Sequence, residues 1–256
     1  MAKSEKAKVE LLEGGDIFFL YRPGVEESDP EGLEDIQRVM MVLHPRKARR
    51  YRVITLGRKT MPELEDGGSR HWAFVSKICA NRDEAHEEFA AETYETKTRG
   101  TRHQPAARPA GEGVYAIVRH GDHTHLAYAL ELPEQPGAVQ NELNIQPEAS
   151  YILSVKNPEA SSPKGAGLSE SRRADFPKTL QKRFDGRRFV AVDPPSFLNH
   201  EGAELMLIGA HDDVSEELGI DLDPQEEDVD RAEVMRELKL QRSPKMVRPL
   251  VEGRWT

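Results

Sequence analysis

Val114-Tyr-Ala-Ile-Val-Arg-His-Gly-Asp-His-Thr-His-Leu-Ala-Tyr-Ala-Leu-Glu-Leu132 sets the frame for the whole chain. Two apolar, β-branched and aromatic runs flank Gly121-Asp122, and a two-residue Gly/Asp turn between such runs is a hairpin signal. A two-residue turn fixes register: His120 opposes His123, Val118 opposes His125, and Ile117 opposes Leu126. Cross-strand partners share a face, as do residues two apart on one strand. The imidazoles of His120, His123 and His125 are therefore expected on one side, with Tyr115, Ile117, Leu126 and Tyr128 on the other, toward the core. The histidine side also carries Ala116, Val118 and Ala127, small enough to floor a pocket or lie under a helix.

Working outward, the same pattern recurs. Strands are expected over residues 16–21, 35–43, 51–57, 72–79, 114–120, 123–132, 150–156, 188–192 and 204–208, punctuated by Gly, Pro, Asp and Asn. Helices are fewer. Asn81 with Glu84 three residues on reads as an N-cap opening a helix to about residue 94. Asp175 caps a basic helix reaching Phe184. Asp223-Pro224 starts a third, with an inner stripe of Val229, Ala232, Met235 and residues 238–240. Asp193-Pro-Pro195 reads as a rigid turn of the kind that accommodates a cis bond. The fold class expected is α+β: mainly antiparallel sheet with peripheral helices, in one compact domain over residues 1–256.

A weak internal repeat adds detail. Residues 16–22, 37–45 and 51–62 read strand, strand ending in Pro, strand followed by Lys-x-x-Pro; residues 113–119, 125–133 and 150–158 repeat the order with Lys-x-Pro. If this is duplication rather than chance, it gives two similar three-stranded units with a groove between them. The sub-units would span 10–95 and 111–210, joined by a basic loop at 96–110 and followed by an acidic helical tail at 211–242.

Composition bounds function. The chain has 256 residues, 32% of them charged, and a net charge of −9, which argues against a simple nucleic-acid binder. Charge is segregated, however. Residues 45–62 hold Arg46, Lys47, Arg49, Arg50, Arg52, Arg58 and Lys59 without an acid, and residues 96–111 hold Lys97, Arg99, Arg102 and Arg108, again without one. A further basic run lies at 171–188, while twelve acids fall within 212–237. The acidic segment is expected to dock on Arg or Lys of 45–59 or 171–188, burying Val229, Ala232 and Met235. One cysteine, Cys79, excludes an intramolecular disulfide and reads as a small buried hydrophobe. No apolar run is long enough for a bilayer, and residues 1–8 do not read as a secretory signal, so no membrane association and a cytoplasmic location are expected. No phosphate-loop, Gly-x-Ser-x-Gly or dinucleotide fingerprint occurs in its required context.

Three functional readings follow. The first is binding of a phosphate-bearing partner, nucleic acid or nucleotide, through Lys97, Arg99, Arg102, His103 and Arg108 together with Arg49, Arg50 and Arg52, since guanidinium forks match phosphate oxygens. The second is a metal-dependent phosphoesterase or related hydrolase, with His120, His123 and His125 as ligands of a divalent transition metal; three His with an open fourth position is a catalytic zinc pattern. Its competing interpretation is a polar hairpin tip in solvent. The third is a protein-interaction module using the acidic C-terminal helix.

Residues 115–132, followed by Ser150-Tyr-Ile-Leu-Ser-Val-Lys-Asn-Pro158, resemble the 3′-phosphoesterase domain of bacterial end-joining DNA ligases: a strand ending in His, a return strand with His-Leu-x-Tyr character, and a later strand ending in Lys-x-Pro. The resemblance covers about forty residues. It implies a metal-dependent phosphoesterase in which His120 is a ligand. The family's His and Asp ligands on the return strand fall at Ala127 and Ala129, which cannot coordinate a metal, and this departure puts the activity in doubt.

Overall fold

A computed structural model describes residues 9–64, 69–163, 166–220, 222, 224 and 232–255. Its strands are β1 (Val9–Pro23), β2 (Ile36–Pro45), β3 (Tyr51–Leu56), β4 (Arg70–Cys79), β5 (Glu92–Thr96), β6 (Gly100–Gln104), β7 (Arg108–His120), β8 (His123–Leu132), β9 (Glu148–Lys156), β10 (Phe189–Ala191) and β11 (Glu204–His211). Helices are short: α1 (Arg82–Phe89), α2 (Ala138–Leu143), α3 (Lys178–Gln181), α4 (Val214–Leu218), α5 (Glu233–Glu237) and α6 (Pro244–Val251).

The expected α+β class is wrong. Eight strands run in the order β1-β2-β3-β4-β11-β9-β8-β7, every neighbour is antiparallel, and β7 pairs back onto β1, so the sheet closes into a barrel. Closure removes the edges that an open sheet would leave unpaired. The expected three-stranded units are also corrected. Each half is a four-stranded up-and-down meander, β1–β4 and β7-β8-β9-β11, and the halves join first strand to first strand and last to last. The anticipated groove between them is therefore taken up by the β1–β7 and β4–β11 ladders.

The apolar pattern explains the arrangement. Ile17, Phe19 and Tyr21 of β1 point into the barrel with Val39, Met41, Ile54, Tyr115, Ile117, Leu126, Tyr128, Tyr151 and Leu205. Their neighbours Phe18, Leu20, Met40 and Val42 point outward, yet are equally buried, beneath α1 and the C-terminal segment. Runs that are apolar at every position belong to strands covered on both faces. The segment between β9 and β11 adds Phe176, Phe184 and Phe197 to the interior core, with Phe176 and Phe197 edge to face at 5.2 Å. Asp193-Pro194 within it is cis.

Several expected elements changed: the basic helix starts at Lys178 behind Pro177, not at Asp175, and continues as a single tighter turn to Phe184, and most of the helix expected from Asp223, with Val229, lies outside the described residues. The helix from Asn81 stops at Phe89, and residues 92–104 form the β5–β6 hairpin. Thr93, Tyr94 and Thr96 favour a strand over a continuing helix. The basic loop of 96–110 is thus half hairpin, half the beginning of β7. Pro109 and Gly111 mislead because they flank a bulge, where β7 shifts register against Phe19 and Leu20. A second bulge follows at Glu112/Gly113, where a Cβ on Gly113 would lie 2.0 Å from the Ala129 carbonyl oxygen. Among the described residues, no helix is long and apolar enough to cross a membrane.

Candidate functional site: a basic cleft at one end of the barrel

In a meander, alternate connections lie at the same end. The β2–β3 turn, the start of α1 after β4 and the β7–β8 turn therefore share one end of the barrel. There, residues 46–50 form a tight turn: the Arg46 amide donates to the Gly14 carbonyl at 3.1 Å, and the Arg50 amide to Ala48 at 2.8 Å. Gly15 lets β2 come this close, since a Cβ would lie 2.2 Å from the His44 oxygen. The turn projects Arg46, Lys47 and Arg49 into solvent, and among the described residues none of the three has a carboxylate partner.

These cations line a cleft of about 600 Å³ together with His44, Tyr51 and Arg82. His44 stacks on Tyr51 with ring centroids 4.4 Å apart, and its Nδ1 lies 3.3 Å from Asp16 without hydrogen-bond geometry. Across the cleft, Glu237 of α5 closes the far wall. It accepts hydrogen bonds from the Tyr51 hydroxyl at 2.7 Å, from Arg82 Nε at 2.8 Å and from Arg82 NH2 at 2.5 Å. Burial pushes the Tyr51 hydroxyl up to about 12, helped by Glu237, so it stays a neutral donor. For Glu237, burial works upward, but the Tyr51 and Arg82 donors outweigh it and hold the carboxyl below its ordinary range.

The other sequence-derived residues lie elsewhere. Arg50 closes the turn, half-buried. Arg52 points into the barrel, where NH1 and NH2 pair with Glu13 at 2.5 and 3.0 Å and Nε donates to Asn199 at 2.9 Å. Strand alternation puts Tyr51 outward and Arg52 inward. Lys97 and Arg99 are exposed at the β5–β6 tip. Arg102 lies 3.7 Å from Glu26, and His103 faces Thr93. Arg108 is buried and donates to the Ser28 carbonyl. This group sits beside Arg22 and Pro23, at the opposite end of β1 from the cleft. Arg38, which opposes Arg22, lies seven residue steps along β2 from Pro45, or about 23 Å. The two basic segments expected to form one surface are apart.

The histidine hairpin has the expected register, His120 against His123 and Val118 against His125. Ala116, Val118 and Ala127 are covered by Val214 and Leu218. His125 is buried, 4% exposed, with Nδ1 3.6 Å from Glu217 and its ring 5.8 Å from that of His120. His123 is exposed at the turn, beside Asp122. Among the described residues, no three His, Cys, Asp or Glu side chains converge to hold a metal ion.

Burial holds the His125 imidazole below its usual range against the pull of Glu217, with His120 and His123 adding to the depression. His71 and His200 are held down chiefly by burial as well. Such a group binds its proton more readily in the unfolded chain, so its penalty is absent above about pH 6.5 and grows as pH falls through the folded value. Each differential proton contributes a slope of up to about 1.4 kcal/mol per pH unit. Urea unfolding between neutral and mildly acidic pH should therefore show a shallower loss of stability in His125→Gln than in wild type. Equal slopes would remove His125 from the acid response.

No protein-family model, curated protein or solved structure matches the chain.

The likeness to the 3′-phosphoesterase domain thus rests on the sequence pattern of residues 115–132 and 150–158 alone, and there the positions of the missing ligands are Ala127, under α4, and Ala129.

His44, Tyr51, Arg82 and Glu237 were missed by sequence reasoning. The signal for Arg82 was topological: it follows β4, and an up-and-down order puts the end of β4 at the same barrel end as the end of β2, one strand away. Glu237, hidden among twelve acids, carried no signal of its own.

Proposed function

We propose that the cleft at residues 44–51 and 82 binds a phosphate-bearing partner, a nucleotide or a nucleic-acid backbone. The observation that carries this reading is the cluster of Arg46, Lys47 and Arg49, cations without a carboxylate partner among the described residues, beside Arg82 on one concave surface of an acidic protein. Charge of one sign lining a cleft focuses the local field, so a net charge of −9 does not oppose anion capture there. Arg supplies planar forks that match phosphate oxygens, and Lys a mobile point charge. His44, stacked on Tyr51, adds a ring nitrogen near the rim.

Phosphate contacts release counterions, which makes affinity fall with salt. Fluorescence anisotropy with a labelled oligonucleotide and calorimetry with ADP separate the two partner classes. In either assay, Arg46→Ala/Arg49→Ala should weaken binding for all sequences alike and flatten the oligonucleotide salt slope by about two units. The matched control, Lys97→Ala/Arg99→Ala at the far end, should change neither. Unchanged affinity in the cleft double variant would end this reading.

A further inference from the structure

We propose that Arg82 and the Tyr51 hydroxyl form the subsite for the ligand's terminal phosphate, and that Glu237 occupies this subsite in the unliganded protein as a built-in competitor. The inference rests on reading the cleft as a phosphate site and adds a specific recognition point and a gate to it. Three features carry it. First, the Glu237 carboxylate is held as an oxyanion ligand would be: the Arg82 fork takes both oxygens, Nε on Oε2 and NH2 on Oε1, while Tyr51 donates to Oε2. Those donors serve a phosphate equally well. Second, Arg82 is half exposed, its side chain 50% accessible against 6% for Glu237, so the fork is reachable from the cleft. Third, one carboxylate does not balance Arg46, Lys47, Arg49 and Arg82, and Arg236 already draws on the same Glu237 at 3.3 Å. A doubly charged phosphate would neutralise more of this field.

Glu237 is carried on a short element. α5 has five residues, and its first amides are capped from outside: Glu112 of β7 accepts from Glu233 at 3.0 Å and from Val234 at 2.6 Å. Beyond it Lys239 adopts the left-handed region at φ 50°. Val234, Met235 and Leu238 on either side of it are buried, so the displacement is a swing of the Glu237 side chain out of the Arg82 fork that loosens α5, with α6 left in place. A ligand shifts such an equilibrium only through its stronger interaction with the open state, and here the difference is the Arg82 fork itself.

Calorimetry of the full chain with pyrophosphate tests both levels. Glu237→Gln should bind pyrophosphate about tenfold more tightly than wild type, a coupling within the usual range between two sites, and Arg82→Ala added to it should abolish the gain. Arg46→Ala/Arg49→Ala should weaken binding in both backgrounds. Equal affinity of wild type and Glu237→Gln, with the Arg46/Arg49 variant still weaker, overturns the gate and leaves the cleft standing. No pyrophosphate binding by a folded Glu237→Gln chain overturns both. Should Glu237→Gln fail to fold, amide exchange in the wild type decides: pyrophosphate should speed exchange across residues 234–240, and unchanged or slower exchange overturns the gate.

Discussion

Lys156→Met should lower the unfolding free energy by about 3–5 kcal/mol, the cost of leaving one member of a buried ion pair without its partner. Lys156 and Glu204 meet at 2.8 Å with side chains 0% and 1% exposed, at the barrel end where β9 finishes and β11 begins. Lys156 also donates to the Asn157 carbonyl, and the second Glu204 oxygen accepts from the Leu168 amide at 2.8 Å. Arg173 lies 3.9 Å away and only partly shields the orphaned carboxylate. A rescue distinguishes lost charge pairing from lost packing. Lys156→Met/Glu204→Gln removes both charges while keeping an acceptor for Leu168, and should recover most of the loss. Urea titration of the three chains reads the result. A loss below about 1 kcal/mol in Lys156→Met, the range of exposed pairs, would mean the pair is hydrated in solution.

Lys156 also marks what the sequence could tell. The strand ending in Lys-x-Pro was visible, as were the nine principal strands and the hairpin register around Gly121-Asp122. These are local signals: alternation, turn chemistry and cross-strand parity. Closure was invisible because it depends on β1 meeting β7 and β4 meeting β11, pairings that no turn specifies. One clue was present in Ile17-Phe-Phe-Leu-Tyr21 and Val39-Met-Met-Val-Leu43, which are apolar at every position. An open sheet solvated on one face would alternate there. β5 and β6 escaped because their residues face solvent on both sides and so leave no apolar alternation.

The candidate site was legible in part for the same reason. Arg46, Lys47 and Arg49 stood out as a basic turn, and among the described residues they have no carboxylate partner. Arg52 was counted with them because charge runs say nothing about which face a strand residue takes; its fate follows from Glu13, thirty-nine positions away. Arg108 reads as a surface cation and is a buried tie to Ser28. The histidine cluster illustrates the limit of register. Sharing a face brings imidazoles near one another, but among the described residues they do not converge with a third His, Cys, Asp or Glu to hold one ion, and Val214 and Leu218 of α4 cover Ala116, Val118 and Ala127 on that face.

Met235→Asp should detach the C-terminal segment from the barrel. Met235 is 4% exposed and packs with Val234, Leu238 and Leu240 on the outward face of β1–β3, against Phe18, Leu20, Met40 and Val42. Surface ion pairs such as Lys239–Asp83 contribute about 0–1 kcal/mol each, so apolar burial must supply most of the docking energy. An Asp at this position forfeits the Met contacts, about 2–5 kcal/mol by analogy with Met→Ala, and adds the desolvation of an unpaired carboxylate. The interior core of Ile17, Phe19, Tyr115 and Tyr128 lies on the other side of the sheet and does not depend on Met235. The expected result is a chain that keeps its strand signal in far-UV circular dichroism, exposes the outer face of β1–β3 to a hydrophobic dye, and exchanges amides rapidly over residues 234–251. Met235→Leu conserves volume and should cost less than about 1.5 kcal/mol. Because Glu237 lies two residues beyond, release of the segment also frees Arg82, and pyrophosphate affinity should rise in Met235→Asp and stay at the wild-type level in Met235→Leu. Exchange over 234–251 as slow as in wild type would show that α6, through Met246 and Leu250, anchors the segment without α5.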